Sequence, residues 1–394
     1  MKARNKIGSI VEGDDFVGRV KEREEAWELL ENGNSLILAA PRRVGKSSFS
    51  KKMIEKAKEN GWSIVDINLE GIKNEADFID TFISHLEKET WYKKAGNFFD
   101  EIKLSIKNYT VEWKRKKISI YKTLKEKLVY DKDTLIVFDE LTIFLDNLRK
   151  GKEKDDLDDV DFLLHWLRGL RQVSDTKIRW IFCSSVSIES FMDKHKLSST
   201  INDMIDFKID ELKGDEAVSL IKALAESKNE TLAKSKNKEL AELRMDFSDE
   251  IIDYMLKKLK WKLPYFIQLL FRGVVDLYIE EKKLSTDTVE KAYLELINSR
   301  YFKPWYERLS FYPEDEEYIR LILDELSKQG NGMNRTGLQV LLNNKTNDKE
   351  KSAAILTQLL FRLINDGYIM INNENKYLFR SPLLRDFWYN RFIR

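Results

Sequence analysis

Ser35-Leu-Ile-Leu-Ala-Ala-Pro-Arg-Arg-Val-Gly-Lys-Ser47 is the stretch from which the fold is read. Its first part, Ser35–Ala40, is a short apolar run with the length and composition of a buried strand, and a helical pattern runs from Lys46 to Glu59. Between them Ala40–Ser47 fits the spacing GxxxxGK[ST], with Ala40 in place of the first glycine. A phosphate-binding loop requires this strand–loop–helix context. Backbone N–H groups across Arg42, Arg43, Val44, Gly45, Lys46, Ser47 and Ser48, with the positive end of the helix, face the phosphates of a nucleotide. The Lys46 ammonium then reaches the β- and γ-phosphates and the Ser47 hydroxyl ligates Mg²⁺. Alanine at position 40 departs from the pattern because a positive φ suits it less than glycine. Arg42 and Arg43 supply charge to phosphate or to a neighbouring domain, and they fit solvated loop charges equally well.

Outward from this stretch, four more apolar runs follow: Trp62–Leu69, Thr134–Phe138, Ile178–Ser184 and Met204–Ile209. Helical patterns such as Glu75–Glu87 and Asp161–Gln172 separate them, so the first half is expected to be α/β, a doubly wound parallel sheet. The run at Thr134 ends in Asp139-Glu140, where an acid at a strand tip can hold the Mg²⁺ shell and its neighbour can orient and deprotonate an attacking water. The run at Ile178 ends in Ser184-Ser185, whose hydroxyls suit either a γ-phosphate sensor or an ordinary capped strand end.

With 394 residues the chain has room for two or three domains. Its 68 basic and 67 acidic side chains leave a formal charge of +1, so any nucleic-acid surface must be local. One cysteine excludes a disulfide framework, and His85, His165 and His195 lie too far apart for zinc-ligand spacing. Cys183, inside an apolar run, reads as a small buried hydrophobe. Met1–Ile10 lacks the apolar centre of a leader, and no run approaches the ~18 apolar residues of a membrane span, so the expectation is a cytoplasmic protein without membrane contact.

Trp91–Lys132 carries 12 basic and 5 acidic residues and is longer than one crossover needs, which fits an amphipathic helical insertion or a surface for nucleic acid or an acidic partner. Lys150–Asp161 is acidic and reads as a surface loop. After Lys213 the strands stop and helices are expected at Asp215–Ser227, Ser248–Lys260, Pro264–Glu281 and Thr286–Ser299, with Ser248 and Thr286 as N-caps and Pro264 in a first turn. A linker with Pro304 and Pro313 leads to helices Glu316–Gln329, Asn334–Leu342 and Lys349–Asp366 and to strands Tyr368–Asn372 and Lys376–Phe379. Three helices and a hairpin read as a winged helix. The expected domains are therefore 1–213, with a basic insertion at about 91–132, then 214–303 and 304–394. The third helix of the last module offers Lys349, Lys351, Thr357 and Arg362 to a DNA groove, and residues 331–394 hold ten basic against five acidic side chains.

Phe16-Val-Gly-Arg19, the loop Pro41–Ser47, Phe138-Asp-Glu140, Phe162–Arg168, Cys183–Glu189, Ile201–Asp203, Leu263–Phe266 and Tyr377–Trp388 together resemble the archaeal and bacterial STAND-type P-loop ATPases, relatives of AAA+ proteins. The resemblance spans nearly the whole chain and explains Trp91–Lys132 least. It implies an ATPase core, a helical lid and a C-terminal winged helix whose packing follows the ATP state. By position, Val17, Gly18 and Arg19 would lie near adenine and ribose, Lys46 and Ser47 on phosphate and Mg²⁺, and Asp139 and Glu140 at metal and water. Ser185 would be the polar sensor, and Pro264 would start the lid helix that touches the nucleotide.

Two departures bear on rate. Ser187–Ile201, where a ring ATPase presents an arginine finger, holds only Lys194 and Lys196 as cations apart from His195, and the helix after Pro264 has its first arginine at Arg272. An arginine finger is worth ~10³–10⁵ in phosphoryl transfer, so the expectation is a slow switch unless a partner supplies one. The leading reading is thus an ATP- and Mg²⁺-dependent, slowly hydrolysing switch that passes between ATP and ADP states and regulates DNA or protein binding. The alternatives are a winged-helix DNA-binding regulator or initiator-like protein in which ATP is mainly structural, and the ATPase sensor of a defence system whose effector is another chain. Duplex DNA, a protein effector and a second copy of the chain all stay open as partners.

Overall fold

A computed structural model describes residues 2–88, 99–100, 102–103, 111–150, 157–184 and 188–394. The chain divides into two compact units. One, the sheet unit, comprises Val20–Ala40 and Lys46–Ile209; the other, the helical unit, comprises Met1–Arg19, Pro41–Gly45 and Asp210–Arg394.

The sheet unit is built on five strands, β1 (Leu36–Ala39), β2 (Ser63–Asn68), β3 (Thr134–Asp139), β4 (Ile178–Cys183) and β5 (Ile205–Lys208). Their order is β2-β3-β4-β1-β5 and every pairing is parallel. Continuous apolar runs make this arrangement stable, because helices cover both faces of a parallel sheet and leave no strand face for polar residues. Leu135–Phe138 is wholly buried. Parallel strands also put every C-terminal end on one edge, so Ala40, Asp139-Glu140 and Ser184 leave the sheet on the same side. Phe138 anchors the core: its ring stacks on Phe182 at 5.7 Å and meets Trp180 and Phe78 edge-on at 5.5 and 5.7 Å.

The described part of the basic stretch packs inward. Helix Val111–Lys127 buries Ile120, Tyr121 and Leu124, and the Trp166 indole donates to the Tyr121 carbonyl at 2.9 Å. Lys117 bridges Glu75 and Asp159 at 2.7 Å each and lies over the Phe162 ring, and Lys103 pairs with Glu87. These cations therefore serve the fold; residues 91–98, 101 and 104–110 of the stretch lie outside the described residues. Of the stretch Lys150–Asp161 expected as a surface loop, residues 151–156 lie outside the described residues, and helix Asp158–Arg171 begins inside it. Asp158, Asp159 and Asp161 fill that helix's first turn, where carboxylates favour the positive end of the helix dipole.

Glu75, in the first turn of helix Glu75–Leu86, is buried with Lys117 and accepts from the Tyr121 hydroxyl at 3.3 Å. Burial pushes its carboxyl up to about 7, against the pull of Lys117. A carboxyl whose pKa is higher folded than unfolded binds more protons in the folded state, so its contribution to stability falls as pH rises from about 4.5 to 7. Glu75→Gln removes that slope, on the order of 3 kcal/mol at this one site. Urea midpoints at the two ends of this window are the check: a variant as pH-sensitive as wild type would contradict the assignment.

The helical unit contains helices Gly214–Ala233, Asp249–Leu259, Pro264–Glu281 and Thr286–Ile297. Ser248 caps its helix through the Ile251 N–H, and Pro264 is the first helical residue after Leu263. The cap of the following helix is Ser285 and not Thr286, because Ser285 and Thr288 bond each other's backbone N–H reciprocally. Beyond it come helices Glu316–Lys328, Arg335–Thr346, Lys349–Asn365 and Pro382–Phe392, with an antiparallel sheet in the order β6-β8-β7: β6 (Met333–Asn334), β7 (Ile369–Ile371) and β8 (Lys376–Phe379). The three helices and hairpin expected there are present, and a third short strand joins them. Gly367 is required where it stands: its φ is +81° and an added Cβ would lie 2.5 Å from the Cβ of Pro41.

Candidate nucleotide site

In the sheet unit, three strand ends converge. Lys46, first residue of helix Lys46–Glu59, is buried, and its ammonium donates to the Ala40 carbonyl at 2.6 Å. Ser47 follows, near enough to Asp139 at the tip of β3 for its hydroxyl to favour the charged carboxylate. Burial pushes the Asp139 carboxyl up and the neighbouring Glu140 adds to the rise, while the bonds from Ser47 and Cys183 oppose it. A cation beside Asp139 would relieve both charge costs. The Cys183 thiol is itself pushed far up by burial and donates to the Phe138 carbonyl, which makes it a packed side chain and not a nucleophile.

Glu140 turns sharply off the strand. Its φ is +58°, its N–H donates to its neighbour's Asp139 Oδ1 at 3.0 Å, and its carboxylate accepts from the Ser184 hydroxyl at 3.3 Å. Ser184 thus orients the acid read as the water-activating group, a contact with no sequence signal because 44 residues separate the two. Ser185 lies outside the described residues.

The helical unit assembles the remaining residues. Val17 is buried, and Gly18, at φ +83°, leaves room for Glu216, whose side chain would lie 3.1 Å from an added Cβ. The Arg19 N–H donates to the Glu216 carboxylate, while its buried guanidinium donates to the carbonyls of Val44 at 3.0 Å and Asp210 at 2.6 Å. Arg19 therefore ties Val17–Arg19 to the loop residue Val44 and to the chain entering helix Gly214–Ala233. Arg43, at φ +64°, lies over the Tyr265 ring at 4.5 Å, one residue beyond Pro264. Gln268, a turn further on, receives the Lys6 N–H at 2.7 Å and gives its carbonyl to Asn5 at 3.2 Å. Arg4 and Lys6 hold Asp15 well below the usual carboxylate range even though burial opposes them. Glu216, Tyr265 and Gln268 were not expected from sequence; only their long-range partners single them out. Arg42 is half-buried, Gly45 carries φ +102°, and Ser48 is buried in the first turn of its helix.

The donor set of Ser47 and Asp139 suits Mg²⁺, which takes one or two protein oxygens and completes its shell with water and phosphate. Among the described residues no cluster of three or more His, Cys, Asp or Glu could hold a metal without a nucleotide. No helix among them is long and apolar enough to cross a membrane.

Two solved structures match along nearly their full length. One is the Walker-type ATPase PABY2304 of Pyrococcus abyssi, at 15% identity and a TM-score of 0.60, covering 98% of this chain and 99% of that one. Another is the ORC2 protein of Aeropyrum pernix, solved as ADPNP–ADP complexes, at 14% identity and a TM-score of 0.52, covering 96% of each chain. No family model matches the sequence, and no curated protein matches it. The fold is the one these structures share, a P-loop NTPase fold with a parallel-sheet core and a C-terminal helical domain.

Proposed function

We propose that this protein is a nucleotide-dependent switch that binds ATP with Mg²⁺, hydrolyses it slowly, and alters its hold on a DNA or protein partner between the ATP and ADP states. The observation that carries the reading is the convergence at one sheet edge of Lys46, on the Ala40 carbonyl, with Asp139 at the tip of β3 and Glu140 beside it, held by Ser184. Mg²⁺ held there by Ser47 and Asp139 would neutralise charge on the β- and γ-phosphate oxygens. Lys46, now on the Ala40 carbonyl, turns to phosphate, and Glu140, oriented by Ser184, accepts the proton of the attacking water. Val17, Gly18 and Arg19 remain our proposed neighbours of base and ribose, and Pro264 the proposed start of the helix that touches the nucleotide. The lack of an arginine between Ser187 and Ile201 supports slow turnover. The STAND-type role rests on the sequence resemblance. The ATPase described for the Pyrococcus structure and the nucleotides of the Aeropyrum complexes agree with the reading.

The partner is left as DNA or protein. Arg362, read above as a DNA-facing cation, is buried, paired with Asp315 at 2.5 Å and laid over Tyr312. Lys345, Lys376, Arg380 and Arg385 also hold carboxylates, which weakens the case for a phosphate-binding face. Thermal unfolding with and without ATP–Mg²⁺, run beside sizing and duplex-DNA binding, tests the proposal. Saturating nucleotide at 100 times its Kd stabilises by about 2.7 kcal/mol, and chelating the metal reduces the gain. Identical unfolding with and without nucleotide would sink the reading.

A further inference from the structure

Within the helical unit a groove of about 540 Å³ runs beside the three-stranded sheet. Its apolar side is formed by Ile369, Met370 and Ile371 of β7 with Leu378 and Phe379 of β8. Strand β7 is an edge strand, since the order is β6-β8-β7. Tyr368 pairs with Arg380 and Asn372 with Lys376 through hydrogen bonds to β8, so the alternation of an antiparallel ladder turns the N–H and C=O groups of Ile369 and Ile371 away from β8. Met370 and Ile371 are 38% and 45% exposed on this edge. A short, apolar, uncharged edge is an open template for another strand.

Charge and an unmet donor say what kind of strand. Of the cations that line the groove, Arg380 holds Asp210 and Arg385 holds Asp386, and the lining carboxylate Glu211 pairs with Lys262, whereas Lys260 is exposed with no carboxylate partner among the described residues. Trp261, 2% exposed under the Arg380 guanidinium, also lines the groove, and its indole N–H is buried without an acceptor. The Ser381 hydroxyl, between the lining residues Arg380 and Pro382, is buried without a hydrogen-bond partner as well. Both atoms are covered by the protein itself, which leaves the Lys260 ammonium as the unpaired donor that an incoming strand can reach.

We propose that this groove takes an extended segment of a partner protein that adds as a strand to the β7 edge, alternating apolar side chains with acidic ones, one of which reaches Lys260. A duplex would find no cation on Ile369-Met-Ile371, whereas strand addition uses the backbone edge for affinity and the flanking side chains for selectivity. The proposal is independent of the nucleotide reading, and its test needs no ATP.

The test uses the full chain and labelled peptides of about eight residues, one alternating Val and Glu and one alternating Val and Lys, with a duplex DNA as a third arm. The Val/Glu peptide binds, and about tenfold more tightly than the Val/Lys peptide. Lys260→Glu, a surface change, and Ile371→Pro, which removes an outward N–H not used in the sheet, each weaken it about tenfold while circular dichroism stays unchanged. No binding of the Val/Glu peptide by ~1 mM, equal binding of both peptides, binding unaltered in both variants, or displacement of the peptide by the duplex would each overturn the proposal.

Discussion

Lys46→Ala raises the Kd for ATP–Mg²⁺ by at least about a hundredfold and abolishes hydrolysis. Lys46 is buried, and its ammonium is held at 2.6 Å by the Ala40 carbonyl, the residue where the loop departs from β1. Held there it needs little reorganisation to meet phosphate, and charge-assisted hydrogen bonds in such a setting contribute roughly 1.5–3 kcal/mol each. Two such bonds, to the β- and γ-phosphates, amount to about two powers of ten or more in affinity. Isothermal titration with ATP–Mg²⁺, with circular dichroism as the check on folding, reads the effect. An unchanged Kd would mean that the loop is a structural remnant.

Glu140→Gln separates binding from chemistry. Gln has the same size and keeps an oxygen for the Ser184 hydroxyl, so the turn at φ +58° and the bond at 3.3 Å are both retained. What is lost is the base: a carboxylate positioned to take a proton contributes ~10²–10⁴ in rate, so ATP hydrolysis falls by that factor while ATP affinity stays within a few-fold of wild type. Single-turnover hydrolysis beside equilibrium binding makes the comparison. Equal loss of binding and rate would show that Glu140 shapes the site and does not act on water. A variant that hydrolyses at the wild-type rate would assign the proton transfer to another group.

The strand–loop–helix at Ser35–Glu59 is legible because three local signals coincide there: an apolar strand, a fixed loop spacing and a helix start. The central strand β3 was legible for a similar reason, since burial on both faces leaves Leu135-Ile-Val-Phe138 with no polar residue, whereas the edge strands β2 and β5 keep Asp66 and Asp206 within shorter apolar patterns. Helix Val20–Glu31 has no such signature: its mean hydropathy is low and only Ala26, Trp27 and Leu30 are buried. Strand β6 is two residues long, too short for a periodic pattern. The Ser285 cap was displaced by one residue because serine and threonine carry the same capping chemistry and only the reciprocal bond with Thr288 distinguishes them. The inward use of Lys117 was hidden too, since a cation bound to Glu75 and Asp159 reads the same in sequence as one facing water.

The left-handed turn at Glu140 sets stability and activity against each other. For a residue with a side chain that conformation costs about 1–2 kcal/mol, and glycine escapes most of it. At this position, then, a substitution that eases the backbone also removes the carboxylate, so selection for thermal robustness alone would drift toward a tighter-folded but inert protein. On the proposed reading, the acid there, bent out of its preferred geometry and steadied by Ser184, belongs to a backbone shaped for chemistry ahead of comfort.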